Sequence, residues 1–337
     1  MIMNLSNLSD VDKLKMFKVY DEWPKIASYN YFNNHKRLTF QNIKHIVFVG
    51  MGGSGTIGDI FSSILSKSKI HVSVVKGYHL PLTADSDSLV VVTSISGNTA
   101  ETRHVLKEAS ERKLKIIALS SGGEIEKYCK SNQIDYRKIE QCHSPRASFP
   151  SYVYSLLSIL EPIIPIKKNE VIESIKKLEE MKNNICSENL NHDNIALEIA
   201  EWIEGIPIIY YPWGLNAAAI RFKNSLQENS KIHAIIEDVL EVCHNGIVAW
   251  EKPSNVIPIL IEGPEDNYNT KIRWQIIKKY FNERKISFKE IFAEEGNIFS
   301  KLICLIYLLD YISIYKAVLS KTNPSTVESI EWIKKRI

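Results

Sequence analysis

Short apolar runs alternate with longer amphipathic segments in the first part of the chain. Runs rich in β-branched residues predict buried strands at about 44–50, 70–75, 89–94 and 115–120, with a shorter strand near 134–136. The segments from 54, from about 98 to 112 and after 122 have the spacing of helices. Strands and helices that alternate in this way predict a parallel, doubly wound sheet.

A second alternation follows a proline-containing break at 144–150 and a helical connection that reaches about 186. Its predicted strands lie near 206–211, 255–262 and 286–293, and its predicted helices near 215–227, 270–280 and 297–319. Asn323 and Pro324 have the order of a helix cap and a first helical residue. The sequence therefore predicts an α/β protein of two parallel-sheet domains (αβα sandwiches), at 1–150 and 151–337, with a C-terminal helix.

Composition narrows the class of protein. The chain has 337 residues, of which 45% are hydrophobic, and 42 Lys and Arg against 39 Asp and Glu give a net charge of +3. This is enough apolar sequence for two cores, and so small a charge gives no reason to expect nucleic acid as a partner. The apolar segment 298–319 contains Lys301, Asp310 and Lys316, which favour a buried helix over a membrane span.

The five cysteines are scattered, with no Cys-x-x-Cys pair. This argues against a zinc ribbon and against a disulfide framework, so a reducing cytoplasm is the expected location. The first residues lack the cationic and apolar regions of a secretory signal. No cluster of side chains has metal-ligand spacing, and we expect no metal.

Two loops rich in glycine and hydroxyl groups follow two of the predicted strands, at 50–55 and 94–99. A strand that turns into a helix through such a loop exposes backbone N–H groups and the positive end of the helix dipole to an anion. Hydroxyl groups can donate to the terminal oxygens of a phosphate. The predicted phosphate-binding residues are Gly52, Gly53, Ser54, Ser94, Ser96 and Thr99.

The first loop also satisfies the dinucleotide fingerprint, with glycines at 50, 52 and 55. That site needs an acidic residue at the end of the next strand, and the strand ending at Lys76 carries none. Lys76 could instead suit a 2′-phosphate, so an NADP oxidoreductase stays open as an alternative. A lone loop of this kind would equally serve as a tight turn with helix caps.

The segment from Ser94 to Thr102 resembles the signature of sugar isomerase (SIS) domains, and the loop at 50–55 is similar to its companion. Over nearly its whole length the chain resembles the bifunctional phosphoglucose/phosphomannose isomerases, as two SIS-type domains. The resemblance implies a catalytic glutamate at Glu228, a catalytic histidine at His244 and an arginine at Arg146. It also implies an active-site lysine in the terminal helix, at Lys334 or at the adjacent position 335.

Two positions depart from the pattern of the family. Ile95 stands where many relatives have tyrosine, and Ser230 where alanine is usual.

The resemblance implies an aldose–ketose isomerase that interconverts glucose 6-phosphate with fructose 6-phosphate, with mannose 6-phosphate as a second expected substrate. Glu228 would move the proton between C2 and C1 through a cis-enediol, and Arg146 would stabilise the charge that develops. His244, with Lys334 nearby, would open the sugar ring. Such proton transfer needs no cofactor.

The resemblance further implies a cytoplasmic enzyme of glycolysis and gluconeogenesis, and a homodimer whose active site is shared across the interface. Its expected partner is a hexose 6-phosphate, with neither nucleic acid nor a membrane. A non-catalytic sugar-phosphate-binding SIS protein and an amino-sugar phosphate isomerase are the alternatives within the same superfamily.

Overall fold

A computed structural model of the chain describes residues 3–33 and 35–336. Its strands are β1 (His45–Val49), β2 (His71–Val75), β3 (Ser88–Thr93), β4 (Lys115–Ser120), β5 (Asp135–Lys138), β6 (Ile206–Tyr211), β7 (Ile235–Asp238), β8 (Val256–Glu262) and β9 (Lys289–Phe292). Its α-helices are α1 (Leu5–Val11), α2 (Met16–Asp21), α3 (Trp23–Phe32), α4 (Gly52–Leu65), α5 (Ala100–Glu111), α6 (Gly123–Ser131), α7 (Phe149–Leu160), α8 (Lys168–Ile185), α9 (Ile195–Trp202), α10 (Asn216–Ser225), α11 (Val239–Val242), α12 (Tyr268–Glu283), α13 (Ile298–Leu319) and α14 (Glu328–Lys334). A π-helical turn covers Leu226–Ser230, and a 3-10 helix covers Gly246–Glu251.

The chain forms two compact units. The first unit is Glu22–Lys176, and the second unit joins Met1–Asp21 to Lys177–Ile337. These bounds differ from the predicted division at 1–150 and 151–337. The reason is α7, which packs against α3 and α4 and buries all of its residues in the first unit. At the other end, Tyr307 of α13 donates a hydrogen bond to the carbonyl oxygen of Tyr20 at 2.7 Å and ties the amino-terminal segment to the second unit.

The first unit contains a five-stranded sheet of order β2-β1-β3-β4-β5, and every pairing is parallel. All residues of β1 and β3 are buried, as expected for central strands with helices on both faces. The carboxyl ends of the strands lie at one edge of the sheet, where an α/β protein presents its binding loops. The predicted doubly wound α/β fold is confirmed.

The second unit contains a four-stranded parallel sheet of order β7-β6-β8-β9. The edge strand β7 was not predicted, because its four residues are partly exposed and end in Glu237 and Asp238. The apolar helix α13 is long enough to cross a membrane, with a mean hydropathy of 1.9, but 89% of its apolar stretch is buried. Of its charged residues, Lys301 pairs with Glu265 at 2.6 Å.

The terminal helix begins later than the sequence predicts. We expected a start at Asn323 and Pro324, but α14 begins at Glu328. The side chain of Asn323 accepts a hydrogen bond from the backbone N–H of Ser325 at 2.9 Å and forms a turn, so it does not cap a helix. The hydroxyl group of Ser325 in turn donates to the buried carboxylate of Asp12 at 3.0 Å.

Two carboxylates on the neighbouring strands β8 and β9 share one lysine of α12. The ammonium of Lys278 lies 3.0 Å from Glu262 and 2.6 Å from Glu290. Burial raises the pKa of Glu262 to about 7, although Lys278 opposes the shift by favouring the charged form. In the unfolded chain this carboxyl group has its ordinary pKa of about 4.5. Between pH 4.5 and 7 the folded protein therefore keeps a proton on Glu262 that the unfolded chain has lost.

The free energy of unfolding should therefore fall as pH rises from about 4.5 to 7, by on the order of 2 kcal/mol from this group. In Glu262→Gln that contribution should be absent. Urea unfolding across this pH range measures the free energy of unfolding of the wild type and of Glu262→Gln, and the difference between the two should change with pH. A difference that is constant with pH would contradict the assignment.

Candidate active site

The first loop, residues 50–55, joins β1 to α4. Gly52 has a φ of +53°, a conformation that glycine adopts without strain, and the N-cap residue Met51 makes no side-chain cap. The first turn of α4 therefore keeps backbone N–H groups that no capping side chain covers. Ser54 is buried, and its hydroxyl oxygen accepts a hydrogen bond from the N–H of Ile95 at 3.4 Å, which joins the first loop to the second.

Gly55 of the first loop packs closely against the Gly50 backbone and the Lys76 side chain. A Cβ atom on Gly55 would lie 2.9 Å from the carbonyl oxygen of Gly50 and 3.1 Å from Cε of Lys76. The ammonium of Lys76 pairs with Asp59 of α4 at 2.5 Å. Burial raises the pKa of Asp59, and Lys76 opposes that shift. A 2′-phosphate would have to compete with Asp59 for this lysine, so the NADP alternative loses the residue on which it depended.

The second loop, residues 94–99, joins β3 to α5. The hydroxyl oxygens of Ser94 and Thr99 lie 3.0 Å apart and hydrogen-bond to each other. Thr99 is the N-cap residue of α5, yet its side chain makes no cap bond, so the helix start is left for another acceptor. Ser96 is half-buried at the middle of the loop. The loop thus combines three hydroxyl groups with a helix N-terminus, which suits the oxygens of a phosphate.

A third loop, residues 120–123 between β4 and α6, supports the second. The Ile95 carbonyl oxygen accepts hydrogen bonds from the N–H and the hydroxyl group of Ser121, at 3.0 and 2.7 Å. Gly97 has a φ of +71°, and a Cβ atom there would lie 1.8 Å from the carbonyl oxygen of Gly122. Sequence reasoning identified Gly122 and Gly123 only as a helix start, because their partner is 25 positions away in the chain.

Arg146 lies in a fixed turn of the first unit and is 5% exposed. The hydroxyl group of Ser148 donates to the carbonyl oxygen of Ser144 at 2.8 Å, and the indole N–H of Trp23 donates to that of Ala147 at 3.0 Å. The turn leads into α7, whose Tyr152 donates to the Ile139 carbonyl oxygen at 3.0 Å. Arg146 is thus a buried cation on a turn that several hydrogen bonds hold in place.

Glu228 lies in the π-helical turn that extends α10 in the second unit, and it is half-buried. Both residues that follow it bind Ser313 of α13. The side chain of Asn229 donates to its hydroxyl oxygen at 2.8 Å, and the hydroxyl group of Ser230 donates to its carbonyl oxygen at 2.6 Å. Single π-helical turns occur often at functional sites, and this one holds the Glu228 backbone against the core helix.

A buried ion pair lies behind this turn. Arg221 and Asp310 are 2% and 0% exposed, and their nearest charged atoms lie 2.6 Å apart. Asp310 also accepts hydrogen bonds from Ser225 at 2.5 Å and Tyr20 at 3.1 Å. Burial lowers the pKa of Arg221, but the charges of Asp310, Tyr20 and Glu228 raise it, and the net change is upward. The carboxylate of Glu228 is therefore within electrostatic reach of the Arg221 guanidinium.

His244 and Lys334 lie on two further elements of the second unit. His244 is exposed on the turn after α11, where its backbone N–H donates to the carbonyl oxygen of Glu241 at 2.8 Å. Lys334 is the last residue of α14 and is exposed, and Lys335 is the C-cap residue. Both side chains are accessible to a ligand or to another chain.

Across residues 3–33 and 35–336, no three His, Cys, Asp or Glu side chains are grouped so that they could hold a metal ion.

Two protein families match the chain. The SIS domain family matches residues 39–159, and the family described as the bacterial phospho-glucose isomerase C-terminal SIS domain matches residues 192–337. The bifunctional phosphoglucose/phosphomannose isomerase of Aquifex aeolicus is 31% identical, over 94% of each chain. That of Caldicellulosiruptor bescii is 30% identical, over 88% of this chain and 90% of the relative. A hypothetical protein from Thermus thermophilus has the same fold, with a TM-score of 0.73 at 13% identity over 97% of this chain and 92% of that one.

Gly97→Ala should destabilise the first unit, because the added methyl group meets the Gly122 carbonyl oxygen in a backbone conformation that alanine disfavours. We expect a loss of about 2–4 kcal/mol in the free energy of unfolding. Gly77→Ala is the matched control, since a Cβ atom there has no neighbour within 4 Å. Urea unfolding of the three proteins measures the effect, and equal stability of the two variants would contradict it.

Proposed function

Because this chain belongs to the family of bifunctional phosphoglucose/phosphomannose isomerases, we propose that it interconverts glucose 6-phosphate and mannose 6-phosphate with fructose 6-phosphate. The observation that carries this proposal is the identity of 30% and 31% to two such enzymes over 88% and 94% of the chain. The enzyme is an intramolecular oxidoreductase of the aldose–ketose class.

The loops of the first unit bind the phosphate of the sugar. The uncapped start of α4, with Gly52 and Gly53, supplies backbone N–H groups, and Ser94, Ser96 and Thr99 supply hydroxyl groups. Ser54 shares its hydroxyl oxygen with the second loop, so it also holds the two loops together. These donors carry no full positive charge. Hydrogen bonds and the helix dipoles therefore hold the phosphate dianion.

Glu228 is the base that moves the proton. Its carboxylate takes the proton from C2 of the open-chain aldose, which leaves a cis-enediolate. A proton passes from the C2 hydroxyl group to the C1 oxygen through the cis-enediol, and Glu228 returns the proton taken from C2 to C1, so that the carbonyl group of the ketose forms at C2. The buried Arg146 stabilises the negative charge that develops on the enediolate oxygens. The hydrogen bonds to Ser313 hold the π-helical turn in place. A carboxylate kept in one position beside the adjacent carbons C1 and C2 can exchange the proton with either of them.

His244 and Lys334 open the sugar ring. A hexose phosphate is mostly cyclic, and an imidazole can give a proton to the ring oxygen and take one from the C1 hydroxyl group. The terminal-helix lysine, Lys334 or its neighbour Lys335, assists as a second cation. Glucose and mannose 6-phosphates give the same enediol, so a pocket that permits rotation about the C2–C3 bond serves both. Proton transfers of this kind need neither a redox cofactor nor a metal.

We also propose a cytoplasmic homodimer that acts in glycolysis and gluconeogenesis. The exposed imidazole of His244 is available to a partner subunit, which fits a site that is completed across an interface. Mass measurement in solution distinguishes the dimer from a monomer.

Glu228→Gln should lose about 10³-fold or more in kcat for fructose 6-phosphate, because the amide cannot accept the proton from carbon. The KM should change little, since the phosphate loops are intact. Formation of glucose 6-phosphate and mannose 6-phosphate is the measurement, and Glu283→Gln, an exposed glutamate of α12, is the control. A wild-type protein that forms neither product would refute the proposed function.

The same variant tests the shared site. If His244 acts across the interface, a mixture of Glu228→Gln with His244→Ala should regain activity as hybrid dimers form. Activity equal to the sum of the separate variants would place both residues in one subunit's site.

A further inference from the structure

Lys231 follows the π-helical turn in an unusual backbone conformation. Its φ of 57° and ψ of 30° are left-handed, and its backbone N–H donates to the carbonyl oxygen of Leu226. A lysine is strained in this region, and such residues persist where the surroundings fix them.

The ammonium of Lys231 gathers four carbonyl oxygens. Two belong to the π-helical turn, those of Glu228 at 2.5 Å and Asn229 at 3.4 Å. The other two belong to the segment before α14, those of Asn323 at 3.2 Å and Thr326 at 2.8 Å. Because an ammonium has three donors, at least one hydrogen is shared. Hydrogen bonds from a charged donor are stronger than neutral ones, so this cation joins the two segments firmly.

The terminal helix follows directly on the segment that Lys231 binds. None of the residues of α14 that the structure describes is buried, and Trp332 and Ile333 are 58% and 52% exposed. The helix therefore has little apolar packing in its own chain to fix its direction. Besides the bonds from Lys231, the segment before it is fixed by the hydrogen bond from Ser325 to Asp12 at 3.0 Å.

We propose that Lys231 is a positioning residue, whose ammonium sets the spacing between the turn that carries Glu228 and the segment that leads to Lys334. The inference rests on the proposed function, in which the first residue moves the proton and the second assists ring opening. Both must reach one substrate, and a displacement of about 1 Å lowers turnover by as much as 10²-fold. Lys231 thereby links the geometry of the two steps without touching the reacting atoms.

Lys231→Gly and Lys285→Gly form a matched pair that tests this role. Both lysines have a φ of 57°, so glycine relieves the same backbone strain at each. Only the first change removes an ammonium from the carbonyl oxygens of the Glu228 turn. Lys231→Met removes the charge and keeps a side chain of similar length, which separates the charge from the backbone effect.

Lys231→Gly and Lys231→Met should both lower kcat for fructose 6-phosphate by about tenfold or more, with KM within about twofold. Chymotrypsin cleavage after Trp332 should accelerate in both, because the terminal helix loses its attachment. Lys285→Gly should match the wild type in both measurements. Unchanged kcat, or a lower kcat with unchanged cleavage, would overturn the proposal. Should the wild type show no isomerisation, the proposed function fails, and the cleavage rates still test the attachment.

Discussion

A carboxylate buried in an apolar helix must find partners, and in the second unit this requirement fixes the position of the proposed base. Asp310 is fully buried in α13 and accepts hydrogen bonds from Arg221, Ser225 and Tyr20. These partners come from α10 and α2, so one charge holds three helices in register. Removing one member of such a pair commonly costs about 3–5 kcal/mol, because the other charge is left buried alone. The turn that carries Glu228 continues directly from α10 and inherits that fixed position.

The first unit meets a different constraint, which is the close approach of backbone to backbone. Gly97 lies against the carbonyl oxygen of Gly122, and Gly55 lies against that of Gly50. Contacts this close hold the loops in one arrangement before any ligand arrives, and a preorganised site loses less entropy on binding. The hydroxyl groups of Ser94 and Thr99 are then presented from a rigid support.

The central strands and the positions of the two proposed phosphate loops could be predicted from the sequence, because a buried parallel strand is a continuous apolar run and the loops carry glycine and hydroxyl groups. The roles of Glu228, His244, Arg146 and Lys334 came from resemblance and not from local pattern. The sequence did not predict the contacts of residues whose partners lie far away in the chain. The third loop matters through Gly97, Asp310 was noticed only as a charge in an apolar segment, and Lys231 gains its contacts only when the segment at Asn323 folds beside it.

A crystal structure with fructose 6-phosphate bound would show whether the two loops of the first unit and Glu228 act on one substrate molecule. We expect the phosphate on Ser54, Ser94, Ser96 and Thr99, with a carboxylate oxygen of Glu228 within about 3.5 Å of C1 and C2 of the same molecule. A phosphate held elsewhere, or a Glu228 that lies outside the sugar site in every subunit of the assembly, would contradict it.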